Sequence, residues 1–234
     1  MTKVKCTICD DSGWEKTIKD GKESLRKCKC QKTSDLRIKC ISSNVPNKFA
    51  GYMLRTFGEK DIDSTLKEVI TKIKKFIDAY PVGKGIILHG GTGLGKTHLL
   101  SIMVTELHRK HPKLIIFYID WNDFVSELTT GLSQYPRNYA AVDALIYKLK
   151  QADILLWDEF AATKPNQWVL DKIYNVINFR YNRQKTTIFA TNYKDETSDG
   201  SDTLQDRIGD RIRSRIFEMA KSYYIKGLDQ RLLD

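Results

Sequence analysis

Residues 89–100 read HGGTGLGKTHLL. The segment from Gly90 to Thr97 fits the phosphate-loop pattern G-x-x-x-x-G-K-[ST]. It lies between an apolar run, GIILHG over 85–90, and a helical pattern over about 97–110. The motif needs that context, because a strand leads into the loop and a helix leaves it. Glycines let the backbone curl so that several N–H groups face a phosphate, and the helix adds the positive end of its dipole. Gly91, Thr92, Gly93 and Gly95 are expected to cradle the phosphates. Lys96 is expected to reach the β- and γ-phosphates, and Thr97 to hold Mg2+.

Working outward, apolar strands alternate with helices. Strands are expected at 85–90, 114–120 (LIIFYID), 154–160 (ILLWDEF), 186–192 (TTIFATN) and 222–227 (SYYIKG). Helices are expected at 64–80, 97–110, near 121–130, at 138–151, at 166–184 and at 203–220. In the first of these, Leu66, Val69, Ile70, Ile73, Phe76 and Ile77 fall on one face. This alternation predicts an α/β fold with a parallel sheet covered by helices on both faces.

ILLWDEF supplies a second half for the phosphate loop. Four apolar residues end in two carboxylates at the C-terminal edge of a strand, where α/β sheets keep their ligands. Asp158 is expected to bind Mg2+, directly or through water. Glu159, facing the other way by strand alternation, is expected to orient and deprotonate a water. The pair argues against a switch GTPase, which commonly uses a glutamine for that task. Asn192 ends TTIFATN. If its strand lies between the other two, its amide reaches both the γ-phosphate and the attacking water.

Residues 203–220 read TLQDRIGDRIRSRIFEMA. Arg207, Arg211 and Arg215 recur every four residues and are expected to share one helix face, with Ile208, Ile212 and Ile216 on another. The plain reading is a solvated cationic face. Two sharper ones are an arginine entering a neighbouring subunit's ATP site and contacts to nucleic-acid phosphates.

At the other end, Cys6-x2-Cys9 and Cys28-x-Cys30 stand eighteen residues apart. Two such pairs can place four thiolates around Zn2+. About forty residues build little core, so a metal is a plausible staple. Trp14 is expected to pack locally around that metal. The alternative is four reduced, unligated thiols. The reading divides the chain into a cysteine-rich zinc-binding module (1–40), a linker (41–60) and an ATPase domain (61–234).

The chain has 234 residues and a net charge of +10, which favours polyanionic partners. Its apolar runs are far too short to span a bilayer, and the first residues lack the apolar core of a signal peptide, so no membrane association and a cytoplasmic location are expected.

GGTGLGKT, ILLWDEF, FATN and GDRIRSRI occur in the order seen in AAA+ ATPases of the bacterial helicase-loader type, and the chain resembles that DnaC/DnaI group and the related IstB transposition helpers. The CTIC…CKC segment resembles the zinc-binding region of DnaI-like members. Val45-Pro-Asn-Lys-Phe49 and Leu54-Arg-Thr-Phe57 resemble the stretch before their ATPase core. The resemblance implies a P-loop AAA+ fold without a C-terminal helical lid, in which Lys96 and Thr97 match Walker A, Asp158 and Glu159 match Walker B, and Asn192 matches sensor 1. Arg215 best matches the trans-acting arginine finger, with Arg211 as runner-up, and Arg231 is similar to a sensor 2-like group. The N-terminal part is shorter than in cellular loaders and would suit a phage-encoded version. The implied activity is ATP hydrolysis with Mg2+ by a self-associating protein that binds a replicative helicase hexamer and single-stranded DNA. The alternatives are an IstB-like helper that binds DNA and a transposase, a P-loop small-molecule kinase, and a binding module with a silent ATP site.

Overall fold

The computed structural model of the chain describes residues 6–9, 12, 14–19, 22–54, 64–81, 84–133, 139–197, 200–227 and 229. A hairpin of β1 (Trp14–Lys19) and β2 (Lys22–Lys27) is followed by α1 (Lys29–Ser42) and α2 (Ser64–Ala79). The alternating part then runs β3 (Gly85–His89), α3 (Lys96–Lys110), β4 (Ile116–Asp120), α4 (Trp121–Ser133), α5 (Tyr139–Gln151), β5 (Ile154–Asp158), α6 (Gln167–Asn182) and β6 (Thr186–Thr191). It ends with α7 (Leu204–Ile208), α8 (Asp210–Met219) and β7 (Ala220–Tyr224).

Five strands form one sheet in the order β4-β5-β6-β3-β7, with parallel pairing throughout. The central strands are continuous apolar runs because helices cover both faces. Strand alternation divides their side chains between two cores. Ile87, Leu155, Trp157 and Phe189 face α4, α5, α6 and α8. Ile86, Leu88, Ile154, Leu156, Ile188 and Ala190 face the other way, onto α2 and α3. The apolar stripe expected on α2 is buried at Leu66, Val69, Ile73, Phe76 and Ile77.

The helix expected over 203–220 is two helices. Gly209 sits between them at φ 75° and ψ 161°, a conformation open to glycine and closed to most L-residues. A capping box between Thr203 and Asp206 starts α7 independently. Arg207 therefore does not share a helix face with Arg211 and Arg215. Its guanidinium is turned inward, donating to the carbonyls of Ala161 at 2.6 Å and Ala162 at 2.8 Å.

The end of α1 is bound to the five-stranded sheet domain through α3 and the loop that follows it. Cys40 Sγ lies 3.3 Å from Thr105 Oγ1, and the Lys39 ammonium donates to the Pro112 carbonyl at 3.0 Å. Ser43 Oγ pairs with His108 Nε2 at 2.8 Å. Burial and the nearby Lys39 charge pull the His108 pKa down to about 4, so that ring is neutral. Beyond α1, Val45, Ala50 and Met53 are buried, and Arg37 donates to the carbonyls of Asn47 and Ala50.

Arg180 is fully buried on α6. Its guanidinium donates to the carbonyls of Leu149, Ala152 and Thr186 and to Thr187 Oγ1, at 2.5–2.9 Å. These acceptors include the C-terminal end of α5, where a cation meets the negative end of the helix dipole. Burial draws its pKa down to about 9, which still leaves it charged at neutral pH. Arg180→Met would leave several buried carbonyls without donors. A stability loss on the order of 3 kcal/mol or more is expected in urea unfolding; a loss below about 1 kcal/mol would contradict this account of the guanidinium.

Candidate functional site

β3 ends at His89, and α3 begins at Lys96 with Gly95 as its N-cap. Between them Gly93 and Gly95 have φ of 77° and 80°, the left-handed region that a loop curling its N–H groups inward requires. A side chain at Gly93 would also run into the carboxylate of Asp229, whose Oδ1 would lie 1.7 Å from an added Cβ. Gly91 and Thr92 are exposed at the loop tip, and the Gly90 N–H bonds the Thr191 carbonyl at 3.2 Å, tying the loop to β6.

Lys96 is 4% exposed, so its ammonium must be satisfied locally. It donates to the carbonyls of Gly90 at 2.9 Å and Gly91 at 2.8 Å, and to Asn192 Oδ1 at 2.5 Å. The Asn192 amide donates in turn to Glu159 Oε2 at 3.0 Å. Lys96, Asn192 and Glu159 thus form one hydrogen-bonded row across the C-terminal ends of β3, β6 and β5. The row requires β6 to lie between β3 and β5, as the sheet order places it.

Asp158 is the last residue of β5 and is 1% exposed. Its Oδ1 accepts the N–H of Glu159 at 2.9 Å, and its Oδ2 accepts the hydroxyl of Tyr118. The expectation that strand alternation aims Glu159 is corrected here. β5 stops at Asp158, and Glu159 has φ 46°. This left-handed turn, costly for a non-glycine residue, directs the carboxylate to Asn192. Burial, and then the charge of Asp158, push the Glu159 pKa above its ordinary value, against the pull of Lys96 and Asn192. A raised pKa suits a carboxylate that accepts a proton from water.

Thr97, Tyr118, Asp120, Asp158 and Glu159 line one cavity of about 1000 Å3. Its hydroxyl and carboxylate donors are hard oxygen ligands, the set that Mg2+ takes beside a polyphosphate. Sequence reasoning missed Tyr118 and Asp120. Both come from β4, the neighbour of β5, where Asp120 pairs in register with Asp158. Burial raises the Asp120 pKa, with Asp123 and Asp158 adding to it. The one available signal was a second strand ending in a carboxylate, YID beside WDE.

The arginines lie apart from this row. Arg215 donates from Nε to Asn178 Oδ1 at 3.0 Å and stacks over Tyr174 and Tyr181 on α6. Arg211 is exposed and lies over Tyr174. None of these partners belongs to the phosphate loop of the same chain. Arg231 falls outside the described residues.

Cys6, Cys9, Cys28 and Cys30 come together with all four sulfurs within 4.8 Å of one another. Cys6–Cys28 and Cys9–Cys30 approach to 3.8 and 3.4 Å. A tetrahedral ion with metal–sulfur bonds of about 2.3 Å needs sulfurs about 3.8 Å apart, so the cluster fits Zn2+. The backbone N–H groups of Ile8 and Cys9 draw the Cys6 thiol down to about 7, while the neighbouring Cys9 thiol and burial push Cys30 up to about 12. Trp14, expected to pack around the metal, turns much of its surface to solvent. It is 48% exposed, and its strand partner Lys27 and the next pair, Lys16 and Leu25, share its face of the hairpin.

Comparison with known proteins bears on this geometry. The family described as the bacterial DnaA ATPase domain matches residues 52–219. The phage-like element PBSX protein XkdC of Bacillus subtilis (strain 168) is 24% identical over 234 residues, covering 96% of this chain and 82% of that protein. The replicative helicase loader DnaI of the same strain is 28% identical over 143 residues, 59% of this chain and 44% of that protein, so the match spans under half of DnaI. Among solved structures, the DnaC helicase loader superposes with a TM-score of 0.64 at 25% identity, over 77% of this chain and 100% of that one. DnaA bound to AMPPCP and single-stranded DNA shares the fold with a TM-score of 0.62 at 19% identity, over 79% of this chain and 51% of that one. With a phosphate loop, paired carboxylates and an intervening asparagine strand in this topology, the chain belongs to the bacterial DnaA ATPase-domain family and is an AAA+ protein homologous to the DnaI- and DnaC-type helicase loaders.

Proposed function

We propose that this chain is an ATP-dependent helicase loader, which engages a replicative helicase hexamer and single-stranded DNA during the initiation of replication. The observation that carries the ATPase part is the row from Lys96 through Asn192 to Glu159. Three groups with separate tasks toward a triphosphate meet there beyond the C-terminal ends of three adjacent strands. Gly91, Thr92, Gly93 and Gly95 hold the phosphates, and Lys96 neutralises the β- and γ-oxygens. Thr97 and Asp158 hold Mg2+. Glu159 takes a proton from the attacking water, and Asn192 aligns that water with the γ-phosphate. Water attack by this row accounts for the site better than transfer to a small metabolite.

Arg215 acts on the ATP of a neighbouring copy, with Arg211 as the other candidate. Its binding to Asn178 and two tyrosines in its own chain supports a role away from its own loop. Arg231 is assigned to the nucleotide by resemblance alone. Self-association through the ATP site follows from the arginine role. The loader part rests on likeness to DnaI and DnaC, and the coverage of XkdC fits a phage-derived version. No helix among the described residues is long and apolar enough to cross a membrane, in keeping with action in the cytoplasm.

The working division is a zinc-binding module over 1–40, a connecting segment over 41–60 and the ATPase over 61–234. The module contacts the helicase. Trp14, Ile18 and Leu25 are exposed on one face of the hairpin, which supports that assignment.

Two experiments test this reading. Metal analysis of freshly purified protein is expected to give about one zinc per chain, and Cys28→Ser to give less than about a tenth of that; equal low values in both would remove the zinc module. Glu159→Gln is expected to bind ATP while turnover falls by roughly a hundredfold or more. On size exclusion with ATP it should co-elute with the cognate helicase hexamer at least as well as the parent. Co-elution with a transposase and none with the helicase would favour the transposition-helper alternative, and undiminished hydrolysis would dismiss the role of Glu159.

A further inference from the structure

We infer that Tyr118 is a positioning residue for cation binding, holding the Asp158 carboxylate in its ligating orientation through its hydroxyl and tying that carboxylate to the end of α1 through its backbone N–H. The inference rests on the ATPase reading and goes beyond it. Tyr118 belongs to no phosphate-binding motif and lies on β4, which contributes neither the loop nor the paired carboxylates.

The side chain is 2% exposed, and its hydroxyl bonds the similarly buried Asp158 Oδ2. A carboxylate has two oxygens and about four acceptor positions. Here one oxygen is anchored by the Tyr118 hydroxyl and the other by the Glu159 N–H, 2.9 Å away. Each oxygen keeps a lone pair for a cation or its waters. Without the phenol, the terminal carboxylate torsion is held from one side only, and that torsion is intrinsically broad.

Tyr118 is itself held on both flanks. On one side β4 pairs with β5, with Tyr118 in register with Leu156. On the other, where an edge strand has no ladder partner, the Tyr118 N–H donates to the Ser43 carbonyl at 2.8 Å. Ser43 follows the last residue of α1 and is pinned to α3 by His108. The helix that starts beside Cys28 and Cys30 thus ends two bonds from Asp158.

The test is Mg2+ titration of equilibrium binding of a fluorescent ATP analogue, for the full-length parent and Tyr118→Phe. The phenylalanine keeps the ring and removes only the donor. The Mg2+ concentration for half-maximal enhancement of binding is expected to rise about tenfold or more. Binding of the analogue in excess EDTA is expected to stay within about twofold of the parent, because the phosphate loop is untouched. An unchanged Mg2+ midpoint overturns the inference. An equal fall with and without Mg2+ also overturns it, since that marks a residue serving the fold. A parent that binds no analogue brings down the ATPase reading and this inference with it, which is distinguishable because in the other cases the parent binds.

Discussion

The site depends on the insertion of β6 between the strand that feeds the phosphate loop and the strand that ends in the paired carboxylates. Without that insertion Asn192 has no route to both Lys96 and Glu159. With it, one short amide bridges a buried ammonium and a half-buried carboxylate at 2.5 and 3.0 Å. The insertion is sustained by ordinary forces. Residues 186–191 are buried throughout, and their alternating side chains enter both cores. Taking β6 out of the sheet would open both cores to water.

The carboxylate half of the site is set by a turn. Glu159 at φ 46° and Ala161 at φ 67° are two left-handed non-glycine residues close behind β5. The Phe160 N–H donates to the Ala190 carbonyl at 2.7 Å, and Thr191 Oγ1 donates to the Phe160 carbonyl at 2.8 Å. β6 therefore holds the unfavourable backbone in place from the next strand. Arg207 adds to this by occupying the carbonyls of Ala161 and Ala162. An arginine that the four-residue spacing presented as a surface cation is thus a support for the turn that aims Glu159.

Much of the fold was legible because the central strands are apolar on both faces and each ends in a chemically distinctive residue. The phosphate loop was legible because glycines, lysine and threonine stand at the spacing that the geometry demands. What escaped the sequence was of four kinds. The break at Gly209 was masked because Ile208, Ile212 and Ile216 keep a helical spacing straight across it. The direction of Glu159 depended on a backbone angle, which residue type does not reveal at a glutamate. Tyr118 and Asp120 required knowing that β4 is the neighbour of β5, and strand adjacency in a parallel sheet is decided by packing far along the chain. The N-terminal hairpin was unread because its strands lie mostly in solvent and lack a buried alternation.

The central claim is that the ammonium of Lys96, held in this row, is the principal attachment for a bound triphosphate. Equilibrium titration of a fluorescent ATP analogue with Mg2+ against the parent and Lys96→Ala tests it most directly. The account predicts that the alanine variant, still folded by circular dichroism at the temperature of the titration, binds at least about a hundredfold more weakly, as expected when a charge-assisted contact to phosphate is lost. Equal affinity in the two proteins would contradict it.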